Sequence, residues 1–168
     1  EGYYAVGMAW RCREAKVIAL ESDARGQKLI EEMSLLNGVE KRVEVLGTCT
    51  SGILEGLLGR ADSGLVICDI EGGEHELLCP EVEPQLCSWA ILCETHDFIR
   101  PGVTAALLTR FRDSHKAVCV SSRARTPADI PMILRSRIFD RWTTMHLNEH
   151  RPSVMQWVLL SPKRLRCS

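Results

Sequence analysis

Between Arg60 and Arg100 the chain has no lysine or arginine, while nine aspartates and glutamates fall in the same stretch. From Arg100 to Arg141 the balance reverses, with nine basic residues against Asp113, Asp129 and Asp140. The net charge of the whole is only -1, so no general affinity for nucleic acid is expected. An acidic centre before a basic flank could hold a cation beside an anionic substrate. For the basic flank, a solvated face is the simpler explanation.

Other absences narrow the class further. None of the eight cysteines forms a CxxC pair, which argues against a zinc or disulfide framework and for reduced thiols in a cytoplasmic protein. Cys68, Cys93 and Cys119 stand inside apolar runs, where a thiol acts as a small hydrophobe. No apolar run approaches the roughly 20 residues that a bilayer-spanning helix needs, so no membrane partner is expected. The opening residues EGYYAVGMAWRCREAK lack the basic, apolar and small-residue zones of a secretory leader.

What is present is a 45% hydrophobic, 26% charged chain of 168 residues, suited to a single globular domain with a sizeable core. Two kinds of segment alternate along it. Compact apolar runs of strand type occur at 15–22, 42–48, 63–70, 89–97, 116–122 and 154–162. Helical patterns occur at 23–38, 51–60, 102–114 and 127–142. In the helix over 23–38 the apolar positions are 29, 30, 33, 35 and 36, with Asn37-Gly38 as its stop. This order predicts an α/β fold, a Rossmann-like, doubly wound and mostly parallel sheet covered on both faces. Residues 1–12 read as a helix with no strand before it. The expectation is therefore a single domain over 1–168 whose first strand and glycine-rich turn are either missing or lie upstream, the chain then being the C-terminal part of a longer one.

Sheets of this kind bind ligands beyond the carboxyl ends of their strands. Two strand ends here are unusually polar. The run VICDIEGGEHELL places Asp69 and Glu71 just past one strand, followed by Gly72-Gly73. The run ILCETHD places Glu94, His96 and Asp97 at the end of the next. Glu94 and His96 are two residues apart, so both side chains face the same way on a strand. Asp69 or His96 could accept a proton from a substrate, with Glu94 orienting His96. Asp69, Glu94 and His96 are equally an oxygen-oxygen-nitrogen set for a divalent cation. A buried histidine bonded to an acid, with no catalytic part, remains open. Glu74, His75 and Glu76 read as the start of a helix, Glu74 gaining from its dipole.

Glu21 ends a strand before a helix, where a carboxylate can accept both hydroxyls of a ribose. That position alone does not choose between nucleotide cofactors. Near the end of the chain, Asn148, Glu149, His150 and Arg151 gather before the last strand, as a polar loop or as the roof of a pocket. Trp142 and Trp157 read as core or pocket-wall residues.

Taken in order, the glycine-tyrosine helix start, the strand ending in Glu21, NGVEKRVEVLG, CDIEGGEHELL and ILCETHD resemble class I S-adenosylmethionine-dependent methyltransferases, and among them the FkbM-like family. The resemblance spans most of residues 1–100. That family carries an aspartate, an aliphatic residue and Glu-Gly-Ala-Glu after one strand, with an acid and a histidine ending the next. The resemblance implies S-adenosylmethionine as cofactor and O-methylation of a small-molecule or sugar-like substrate. It assigns Glu21 to the ribose, and Glu1, Gly2 and Tyr3 to the methionine part as the tail of the glycine motif. Asp69 and Glu71 then lie near the transferred methyl group. Many such enzymes have an acid for the adenine after the third strand; Thr48-Cys49-Thr50 stands there instead. Two other readings stay open: an inactive methyltransferase-like module that binds a nucleotide or a partner, and a nicotinamide-dependent oxidoreductase.

Overall fold

The alternation of strand-type and helical runs carries through into the computed structural model, which describes residues 2–123 and 155–163. Glu1, the helix expected over 127–142, Trp142 and the polar group Asn148 to Arg151 lie outside the described residues. The chain forms two compact units, one reaching to Leu57 and the other beginning at Leu58. Among the described residues no helix is long and apolar enough to cross a membrane.

The first unit runs α1 (Tyr3–Arg11), β1 (Val17–Leu20), α2 (Ala24–Leu36), β2 (Val43–Leu46) and α3 (Ser51–Leu58), whose last residue crosses the division. β1 and β2 are parallel, in register from Val17 opposite Val43 to Leu20 opposite Leu46. Asp23 starts α2 by accepting the Gly26 N–H at 3.0 Å, the bond that satisfies an otherwise orphaned donor of a first helical turn. Asn37 closes the helix, and Gly38 follows in the left-handed region at φ 65°, the usual way out of a helix. Val6, Ala9 and Val39 form a core with Val17 and Val43 packed on it.

The face of α2 differs from the expected one. The buried line is Gly26, Ile30 and Ser34, spaced four apart, whereas Leu29, Met33, Leu35 and Leu36 are exposed. The Ser34 hydroxyl donates to the Ile30 carbonyl at 2.7 Å, so burying it leaves no donor unsatisfied.

The second unit contains β3 (Leu65–Cys68), the short α4 (Glu74–Leu77), a 3-10 turn over Pro84–Ser88, β4 (Ala90–Thr95), α5 (Val103–Phe111), β5 (His115–Ser121) and β6 (Gln156–Pro162). Its sheet has the order β3-β4-β6-β5. β3 and β4 are parallel, and β6 lies antiparallel to both β4 and β5. The architecture is thus mixed α/β with parallel and mixed sheets, and the mostly parallel sheet expected from the strand runs is realised in part. An apolar run marks a strand but carries no information on its direction, which the path of the chain decides.

Val103, Leu107 and Phe111 bury one side of α5, again at four-residue spacing, and the helix packs on β5 and β6. Ile91 and Cys93 of β4 and Val158 and Leu160 of β6 are its sheet-side core, each pair two residues apart as one face of a strand requires. Cover on both faces was expected throughout; among the described residues β5 does not show it. Val118, Cys119 and Val120 are exposed there, and among the described residues β5 pairs with β6 alone.

Candidate functional site

The register of β3 and β4 sets the site. Cys68 lies opposite Cys93, so Asp69 and Glu94 emerge side by side at the carboxyl ends of two adjacent parallel strands. His96 follows two residues after Glu94, on the same side. Glu94 in β4 and His96 just past its end are sealed from solvent, each about 1% exposed, while the Asp69 side chain is 29% exposed. Asp97 does not join this group. Its carboxylate accepts the Gly102 N–H at 2.9 Å and the Thr104 N–H at 3.2 Å, bracing the start of α5.

After Asp69 the backbone turns sharply. Glu71 has φ 53° and Gly72 φ 103°; a non-glycine residue in that region marks a turn held by its surroundings. A Cβ at Gly72 would also meet the Ile99 side chain at 3.1 Å. The turn therefore needs glycine for its conformation and for space. It delivers Glu71 toward His96, with Oε2 3.4 Å from Nε2. Asp69 Oδ1 is 3.6 Å from the same nitrogen.

The residue that sequence reasoning missed is Glu74. Read as an ordinary helix start, it is fully buried. Its Oε1 lies 2.5 Å from His96 Nδ1 and also accepts the Gly72 N–H at 3.1 Å. An oxygen already accepting from a backbone amide takes the ring proton too, so Nδ1 donates and Nε2 is left facing Asp69 and Glu71. Its other oxygen, Oε2, is buried with no hydrogen-bond partner in the described structure. The signal for Glu74 was present in the sequence as the second glutamate of Glu-Gly-Gly-Glu, but nothing local shows that it points inward. His75 and Glu76, by contrast, bond outward: His75 with Arg110 and Glu76 with Arg100.

Electrostatics at the strand ends are unfavourable to charge. Burial, then the neighbouring charge of Glu94 and a hydrogen bond with it, push the Asp69 carboxyl up to about 6; His96 acts in the opposite direction. Two carboxyls in hydrogen-bond contact cannot both ionise freely. Asp69, Glu94 and His96 each offer a ligand atom, and the three atoms lie within 4.8 Å of one another.

The remaining candidates belong to the first unit. Glu21 follows β1, with Oε1 accepting the Asp23 N–H at 2.9 Å. Its carboxyl lies where a Cβ on Gly26 would come within 2.8 Å, so the glycine makes room for it. Gly2 caps α1 at φ 94°, and Tyr3 is 80% exposed. Thr50 Oγ1 accepts the Ile53 N–H at 3.3 Å and caps α3.

No family model matches the chain, and no curated protein matches it.

Proposed function

We propose that the chain is a Rossmann-like, S-adenosylmethionine-dependent methyltransferase domain that acts on a hydroxyl oxygen of a small-molecule or sugar-like substrate. One observation carries the reading. Asp69, Glu71 and His96 meet at the carboxyl ends of adjacent parallel strands, the place where α/β sheets receive their ligands. The parallel pairs β1–β2 and β3–β4 support the Rossmann-like assignment. The free thiols of the described cysteines fit a cytoplasmic protein, and the near-neutral net charge fits a small substrate better than nucleic acid.

The donor supplies a methyl group already activated on a sulfonium, so positioning and proton removal are what the protein must add. Glu21 is assigned to the ribose hydroxyls, and Gly2 and Tyr3 with the start of α1 to the methionine part. His96 accepts the substrate's proton at Nε2, since Glu74 holds the proton of Nδ1. Asp69 and Glu71, close to that nitrogen, stabilise the imidazolium that results. Asp69 is the alternative acceptor, its carboxyl raised toward the working pH range.

A second reading, a catalytically inactive methyltransferase-like module, is favoured by Thr48 to Thr50. No carboxylate stands there for an adenine, and Thr50 is engaged in capping α3. Calorimetric titration with S-adenosylmethionine, S-adenosylhomocysteine and NAD separates the readings. Heat with S-adenosylhomocysteine and none with NAD is the expected result. Heat with NAD alone would move the chain to the nicotinamide-dependent oxidoreductases, and no heat with any of them would favour the module.

A further inference from the structure

We propose that Asp69, Glu94 and His96 bind one divalent transition-metal ion, with Glu74 as the outer carboxylate that orients the histidine. The inference goes beyond the methyl-transfer reading and stands on the geometry of the second unit alone.

The first argument is the arrangement of His96. Its Nδ1 is held by Glu74 Oε1 at 2.5 Å, and Nε2 faces carboxylate oxygens at 3.4 and 3.6 Å. Metal-bound histidines regularly donate their other ring N–H to a carboxylate, which fixes the tautomer and raises the basicity of the ligating nitrogen. The two distances exceed the usual hydrogen-bond range of about 2.7–3.2 Å. Of the two oxygens only Asp69 Oδ1 belongs to the proposed set, and its 3.6 Å is slightly longer than the spacing of ligands sharing an ion, where atoms about 2.1 Å from a metal and about 90–110° apart sit roughly 3.0–3.4 Å from each other. A small side-chain rotation brings the full set, now within 4.8 Å, onto one centre.

The second argument is the orphaned carboxylate oxygen. Glu74 is 0% exposed and its Oε2 has no hydrogen-bond partner in the described structure. A buried carboxylate is costly unless positive charge lies near it. An imidazole carrying a metal ion supplies that charge through the 2.5 Å contact. The same ion offsets the repulsion between Asp69 and the fully buried Glu94.

The ligand set selects the metal. An imidazole beside two carboxylates favours Mn²⁺, Fe²⁺ or Zn²⁺ over Mg²⁺ and Ca²⁺, which take oxygen ligands almost alone. Glu71, 74% exposed on its side chain, stands outside the three-ligand set. In the loaded form His96 Nε2 is a ligand, so a hydroxyl bound to the ion would pass its proton to Glu71 instead.

Mn²⁺ is the probe, because the exposed thiols of Cys12, Cys87 and Cys119 would take Zn²⁺ at sites of their own. The chain is stripped with EDTA, desalted and titrated with Mn²⁺, free ion being followed by electron paramagnetic resonance. One ion per chain is expected, at least tenfold tighter than Mg²⁺. D69N and H96Q should each weaken it tenfold or more, and E74Q about 10–100-fold. Urea midpoints check that each variant folds, and D69N, at the half-exposed ligand, carries the test if H96Q does not. No binding at millimolar Mn²⁺, or D69N binding as tightly as the native chain, would overturn the site. Native affinity in a folded E74Q would overturn the part given to Glu74. No donor is present in the titration, so the metal site and the methyl-transfer reading can fail independently.

Discussion

Glu74 and His96 face each other at 2.5 Å, Oε1 to Nδ1, with both side chains shut away from solvent. The contact joins the start of α4 to the end of β4 and fixes which ring nitrogen faces Asp69 and Glu71. Replacing Glu74 by Ala leaves a buried ring N–H without an acceptor, a loss of about 1–3 kcal/mol before any cavity cost. E74Q keeps the shape and most of the stability but lets the ring turn over. Urea unfolding of both variants should rank native above E74Q and E74Q above E74A; equal midpoints would show that the bond contributes nothing.

Asp69 sits at the mouth of the site, its side chain 29% exposed. On the methyl-transfer reading, where Asp69 stabilises the His96 imidazolium or is itself the alternative acceptor, D69A should lower methyl transfer by as much as a positioned proton acceptor contributes, about 10²–10⁴-fold. The thermal midpoint should stay within a few degrees of native. A large loss of stability would make Asp69 a structural residue.

The raised pKa of Asp69 has a sign that stability measurements can read. An unfolded aspartate titrates near about 3.9, and this one near about 6 in the folded chain. Between those values the folded state binds more protons than the unfolded state. Its contribution is therefore complete below pH ~4 and lost as pH rises to about 6, with no further change above. Urea midpoints of the native chain and D69N, compared every half pH unit from 4 to 8, should converge as pH falls. A difference that is constant across the range would contradict the shift.

Two glycines are predicted to resist substitution for different reasons. Gly72→Ala forces a side chain onto φ 103° and against Ile99, at about 1–3 kcal/mol. Gly64→Ala has no such dihedral cost, but its Cβ would lie 2.2 Å from the Trp89 ring, so the indole must move, again at about 1–3 kcal/mol. Chemical denaturation measures both. Trp89 fluorescence should shift in G64A and stay native in G72A.

Much of this was legible one segment at a time. Six strand-type runs became strands, and Asp23, Asn37 and Gly38 mark the ends of α2 as their side chains and conformations dictate. Asp69, Glu94 and His96 were marked as a set by their positions at strand ends, because hydrophobic period and capping chemistry act between residues a few positions apart. Parallel pairing of β3 with β4, inferred from alternation alone, then put them side by side.

What the tertiary structure decided depended on residues far apart in the chain. Nothing near β6 announces that it runs antiparallel between β4 and β5, and nothing in α2 says that Gly26, Ile30 and Ser34 rather than its leucines form the buried line. Glu74 shows the difference most clearly. Five residues after the aspartate that ends the β3 run it resembles any acid opening a helix, and only the packing of α4 beside β4 turns it inward onto a histidine 22 positions away.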